Sequence, residues 1–142
     1  MNDCELCSTP GGILLWQGPR CRVVRVEHPD YPGFCRVIWQ AHVREMTDLS
    51  PAERNTLMHT VFAVEQAVRI HFQPDKINLA SLGNMTPHLH WHIIPRWQND
   101  KNFPEPIWGQ QQRDDKLPRN SIDDRQLAET LRRNLSEHLE TT

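Results

Sequence analysis

Pro87-His88-Leu89-His90-Trp91-His92-Ile93-Ile94-Pro95-Arg96 alternates histidine with a bulky apolar residue three times over. That is the two-residue period of a β-strand, so the three imidazoles share one face while Leu89, Trp91 and Ile93 enter a core. A helix would scatter the same residues around its axis, and Pro87 and Pro95 on the flanks disfavour one. Same-face neighbours on a strand stand roughly 6.5 to 7 Å apart. The row is therefore about as wide as a phosphate group with its first ring of hydrogen-bond partners. It is either a phosphate site or part of a metal site; a lone histidine such as His138 carries no such signal.

Working upstream, Gly83-Asn84-Met85-Thr86-Pro87 is a tight connection into this strand. Residues 76–82 read as another strand, with Ile77 and Leu79 on one side and Asn78 on the other, so Asn78, Asn84 and Thr86 can donate into the same cleft. Before it lies a long helix. Ser50 caps it, Pro51 suits its first position and Glu53 completes a capping box, while Leu57, Val61, Val64, Val68 and Phe72 form one apolar stripe. Pro74 and Asp75 end it. Further upstream, residues 13–16 and 21–26 read as a hairpin around Gly18-Pro19, and residues 34–39 as a third strand, so three strands precede any helix. Glu27 and His28 sit in the turn between the second and third strands, where a carboxylate can accept from ribose hydroxyls.

Downstream of Arg96 the composition changes. Residues 97–120 are polar and proline-rich, with Trp97, Phe103, Ile107 and Trp108 as isolated apolar anchors, which predicts an irregular arm lying over the domain or a partner. Over residues 121–140, Leu127, Leu131 and Leu135 recur at four-residue steps, with Ile122 and Leu139 at the ends, and predict a C-terminal helix.

A chain of 142 residues is one domain by length, residues 1–142. A formal charge of −2 argues against a nucleic-acid partner, which calls for a basic face. No apolar run approaches the ~20 residues that span a bilayer, and the N-terminus lacks the basic and apolar regions of a signal peptide, so the expected location is cytoplasmic, with no membrane partner. In that compartment the four cysteines are free thiols or metal ligands rather than disulfides. Cys4 and Cys7 have the spacing that lets two thiolates hold one zinc, and His42 and His88 are the candidates to complete such a site; unliganded cysteines fit the same spacing.

The run from His88 to Ile94 resembles the signature of the histidine triad family, histidine-apolar-histidine-apolar-histidine-apolar-apolar, followed by Pro95-Arg96. The likeness extends through Ala41-His42-Val43, Asp48-Leu49-Ser50, Asn78 and Gly83, covering residues 4 to 97. The resemblance implies an α+β fold, an antiparallel sheet of about five strands with one long helix and a C-terminal helix. It also implies a homodimer and a purine nucleotide substrate. It implies a nucleotide hydrolase, acting at the α-phosphorus of a dinucleoside polyphosphate or a nucleoside phosphoramidate through a nucleotidyl-His90 intermediate, without a catalytic metal.

Carried over residue by residue, His90 is the nucleophile and His92 offers its backbone carbonyl to fix the His90 tautomer. His88 binds phosphate or orients the others, and Asn78 and Asn84 hold phosphate oxygens. Asn84 stands where many members carry glutamine, and Met85 where some carry a hydroxyl that protonates the leaving group; Thr86 is the available substitute. Trp108 is expected to shape the leaving-group side of the pocket. Related members also resemble this chain in combining a Cys-x-x-Cys pair, an upstream histidine and the first triad histidine, which makes Cys4, Cys7, His42 and His88 a structural zinc site and removes His88 from phosphate duty. A nucleotide-binding module with little or no turnover, with or without structural zinc, uses the same residues.

Overall fold

The computed structural model describes residues 3–114, 119 and 122–141. Residues 115–118, 120 and 121 of the expected arm and helix, and the side chain of Leu139, lie outside the described residues.

Five strands, β1 (Ile13–Gln17), β2 (Cys21–Arg25), β3 (Cys35–Trp39), β4 (Lys76–Ala80) and β5 (His90–Arg96), form one sheet in the order β1-β2-β3-β5-β4. Every neighbouring pair is antiparallel, as expected for the α+β arrangement. The β1–β2 turn closes through Gly18 N–H donating to the Cys21 carbonyl at 2.9 Å. The histidine strand β5 is an inner strand, with β3 on one side and β4 on the other.

One face of the sheet carries the two long helices, α2 (Pro51–Phe72) and α3 (Asp124–Thr141). α2 starts at the reciprocal capping box of Ser50 and Glu53 and buries Leu57, Val61, Val64, Val68 and Phe72. α3 buries Leu127, Leu131 and Leu135 in the same core. Each such leucine contributes about 1.5 to 3 kcal/mol as an upper value. Val23, Cys35, Val37 and Ile93 meet them from the sheet, with Leu89 just ahead of β5. On the other face Val24 and Ile38 pack against Leu6 from the N-terminal segment. That segment is strapped down by Arg22, which donates to the carbonyls of Leu6, Thr9 and Pro10.

Two features differ from the reading of the sequence. A single helical turn, α1 (Glu5–Ser8), precedes the strands, and a 3₁₀ turn (Met46–Asp48) precedes α2. Both are too short to leave an apolar period in the sequence. The strands are also shorter: β4 stops at Ala80, and β5 begins at His90 because His88 N–H turns back onto the Thr86 carbonyl at 2.8 Å.

Over its described residues, 97–114, the arm is laid on its own domain. Its anchor is Asp100, fully buried, whose carboxylate accepts from Arg96 Nε at 2.8 Å and Nη2 at 3.0 Å and from the backbone N–H of Trp97, Asn102 and Phe103. The Tyr31 hydroxyl lies 2.9 Å from Asp100 Oδ1 and 2.7 Å from Asn102 Oδ1. Among the described residues no helix is long and apolar enough to cross a membrane.

Candidate active site and metal-ligand cluster

On the face of the sheet away from the helices, a cavity of about 370 Å³ is lined by His90, His92, Arg36, Asn84, Thr86 and Trp108 among others. His90 and His92 are successive same-face residues of β5, and their ring centroids lie 4.9 Å apart. Arg36 is the β3 partner of His92, so its side chain emerges on the same face. Asn84 and Thr86 come from the connection between β4 and β5. Met85 between them is 96 % exposed. Trp108, 52 % exposed, reaches in from the arm with its ring 5.1 Å from that of His92.

His90 Nδ1 lies 2.5 Å from the backbone carbonyl of His88. A carbonyl only accepts, so Nδ1 carries the proton and Nε2 keeps its lone pair. The tautomer is thus set by the residue two positions before His90, and the role expected of the His92 carbonyl passes to His88. Burial pulls the pKa of His90 below the ordinary histidine range, and the Arg36 charge adds to this against the hydrogen bond that Nδ1 donates to the His88 carbonyl. His92 is pushed down to about 3 by burial, with His90 and Arg36 acting in the same direction, and its Nδ1 is buried without a hydrogen-bond partner. Both rings are neutral near pH 7.

His88 is placed elsewhere by its side chain. Its Nε2 donates to the Trp39 carbonyl at 2.6 Å, which turns an unprotonated Nδ1 toward Cys4 Sγ at 3.3 Å, Cys7 Sγ at 3.4 Å and His42 Nδ1 at 3.2 Å. His42 Nδ1 lies 3.4 Å from Cys7 Sγ. The four donor atoms all lie within 4.8 Å of one another. A tetrahedral zinc with two sulfur and two nitrogen ligands has ligand–ligand edges of about 3.3 to 3.8 Å, so the cluster has the size and donor chemistry of such a site. The Trp39 carbonyl behind His88 is the outer partner that a metal-bound imidazole ordinarily has. The three rings therefore do not form one row: two face the cavity and the first faces the thiols.

Of the other candidates, Asn78 lies outside the cavity. Its Oδ1 accepts from Arg96 Nη1 at 2.8 Å, and it lines a neighbouring concavity shared with Pro106, Ile107 and Trp108. Glu27 is exposed and does not line the cavity either. His28 packs edge-on to Tyr31 and accepts from the Asp30 N–H at 3.1 Å, reaching His92 only through Phe34, which contacts both rings. Arg36 escaped the sequence reading. The available signal was a single cation inside the apolar run Phe34-Cys35-Arg36-Val37-Ile38-Trp39.

Comparison with known proteins places this geometry. The chain is 30 % identical over 98 residues to an AP-4-A phosphorylase of Mycobacterium tuberculosis (strain ATCC 25618 / H37Rv), covering 65 % of this chain and 50 % of that protein. It is 35 % identical over 77 residues to the bis(5'-nucleosyl)-tetraphosphatase [asymmetrical] of Schizosaccharomyces pombe (strain 972 / ATCC 24843), covering 51 % and 42 % respectively. The chain thus spans about half the length of the curated relatives it matches. A crystal structure of a histidine triad protein from Bradyrhizobium japonicum superposes with a TM-score of 0.69 at 27 % identity, over 89 % of this chain and 92 % of that one. The family model described as HIT domain matches residues 12–99, from just before β1 to the first residues of the arm, a span that includes Arg36, His88, His90 and His92. On that match, and on a histidine strand set in a five-stranded antiparallel sheet, the chain belongs to the HIT domain family.

Proposed function

We propose that this protein is a nucleotide hydrolase in which His90 attacks the α-phosphorus of a purine nucleotide, in a dinucleoside polyphosphate or a nucleoside phosphoramidate. The observation that carries the reading is the hydrogen bond from His90 Nδ1 to the His88 carbonyl, inside a cavity that also holds a guanidinium. It leaves Nε2 unprotonated and aimed, and burial keeps the ring neutral, which is the nucleophilic form. In the first step the Nε2–P bond forms and the P–O or P–N bond to the leaving group breaks, its electron pair departing with the leaving atom, which takes a proton. Thr86, in the cavity, is the hydroxyl nearest in sequence to the position where some members carry one. In the second step water cleaves the Nε2–P bond and releases a nucleoside monophosphate.

Trp108 closes one side of the cavity and is assigned to the leaving group. Asn84 remains a phosphate ligand in this reading; Asn78, Glu27 and His28 reach the substrate only if it extends beyond the cavity. The names of both curated relatives concern dinucleoside tetraphosphates, which favours that substrate class. They differ in the second step, since a phosphorylase delivers the group to phosphate instead of water.

The donor set of Cys4, Cys7, His42 and His88 supports a zinc ion in a structural role. With all four positions taken by protein ligands it offers no open place for substrate, and its chemistry is to tie the N-terminal segment to the sheet.

The test compares wild type with His90→Ala on diadenosine tetraphosphate and on adenosine phosphoramidate. Release of adenosine monophosphate should fall by about three orders of magnitude or more in the variant, while its affinity for adenosine monophosphate stays within a few-fold. Mass spectrometry of acid-sparing quenched wild type should find the nucleotidyl group on His90. A wild type that turns over neither substrate leaves a nucleotide-binding module as the better reading.

A further inference from the structure

The sheet carries several arginines, and most are committed within the protein. Arg22 donates to three carbonyls and to Gln40 Oε1, Arg25 pairs with Asp124, and Arg96 is held by Asp100, Asn78 and the Glu105 carbonyl. Arg36 is different. Its Nη1 donates to the Gly11 carbonyl at 3.0 Å, which fixes the guanidinium in place, but its Nε is buried without a hydrogen-bond partner. Its acidic neighbour in the cavity wall is Glu5, which acts on it through the field without forming an ion pair within 4.0 Å. A buried N–H on a cation is costly to leave unmet, so such a group is satisfied when an acceptor enters.

Register then decides what that acceptor is. Arg36 stands opposite His92, and two residues along β3 Ile38 stands opposite His90, so the guanidinium shares a face and a cavity with the nucleophile. Its charge is felt at both imidazoles. An anion seated between Arg36 and His90 Nε2 is what this arrangement accommodates, and the planar fork of arginine matches phosphate oxygens. Resting on the reading of His90 as nucleophile, the geometry points to Arg36 as a phosphate-binding residue of the cavity. It donates from Nε to the non-bridging oxygens of the phosphate that His90 attacks. Those oxygens carry the negative charge through the displacement, so Arg36 lowers the barrier as well as holding the ground state.

Binding of adenosine monophosphate, adenosine and pyrophosphate, measured by calorimetry on wild type, Arg36→Met and Arg36→Lys, tests this. Arg36→Met should weaken adenosine monophosphate and pyrophosphate by about 10- to 100-fold and leave adenosine unchanged. Arg36→Lys keeps the charge without Nε and should lose several-fold for adenosine monophosphate; its melting midpoint serves as the folding control if the methionine variant is unstable. Equal weakening of adenosine and adenosine monophosphate, or a lysine variant as tight as wild type, overturns the assignment while leaving His90 as the nucleophile. Pyrophosphate binding that depends on Arg36, with no binding of adenosine monophosphate by wild type, upholds the anion site and removes the nucleotide reading. A wild type that binds none of the three removes both.

Discussion

Single residues here do two jobs at once, and His88 is the clearest case. Its ring faces two thiols and a second imidazole, while its backbone carbonyl fixes the proton on His90. The alternation of histidines announced a site, but it could not say that the first ring turns away, because ring direction depends on Trp39 and on Cys4 and Cys7, which lie far off in sequence. Asp100 poses the same problem more sharply, since neither its burial nor its pairing with Tyr31, 69 positions earlier, leaves a local pattern. Burial alone would raise its carboxyl, yet Arg96, the backbone N–H groups of Trp97 and Phe103 and the Tyr31 hydroxyl outweigh that and hold it down at about 2. Because the folded value lies below the ordinary 3.8, the contribution is complete above pH 4 and disappears as pH falls from there toward 2. That step is worth about 2 kcal/mol. Asp100→Ala, which strands the buried Arg96 charge, should lower unfolding free energy by about 3 to 5 kcal/mol at neutral pH. Urea unfolding across pH 2 to 7 should show the acid step in wild type and not in the variant.

At the level of elements, the legible parts were those with strong local rules. The Ser50–Glu53 capping box, the α2 stripe, the leucine steps of α3 and the strand period of residues 90–96 each left a periodic or capping signature, and each formed. Strand ends were less legible: the pattern runs on through His88 and Leu82, while the ladder stops where β3 and the tight connection stop it. Arg36 belongs to the same lesson. A cation inside a β-run is ambiguous until register shows which face it shares, and only the pairing with β5 shows that it is the face of His90 and His92.

The outermost position of β4 also bears on assembly. An outer strand leaves one row of backbone donors and acceptors for another chain, and α2 presents Phe62 and Ile70 exposed. The homodimer implied by the family resemblance is expected to bury surfaces of this kind. Sedimentation should give twice the chain mass, and a chain that stays monomeric through the concentrations of the activity assay removes the dimer.

For the molecule as a whole, the two faces of the sheet divide the work. Helices on one side supply the core; the N-terminal segment and the arm on the other enclose the cavity, held by Arg22 and the cysteine–histidine cluster at one end and by Asp100 at the other. Zinc in that cluster should be measurable as one ion per chain by elemental analysis. Cys7→Ser should reduce that content by at least tenfold and lower the melting midpoint by several degrees, in line with losing a few kcal/mol of metal-linked stability. Full zinc content in the variant would dismiss the site.

The cluster has a history as well as a geometry. Its donors come from three separate places, Cys4 and His88 being 84 positions apart and Cys7 and His42 being 35 apart. On a chain made from its N-terminus, the two cysteines emerge long before the histidine that completes their surroundings. The four-donor set is consequently incomplete until His88, just ahead of the last strand, has been made, so the cluster assembles only after the first three strands and the long helix have emerged.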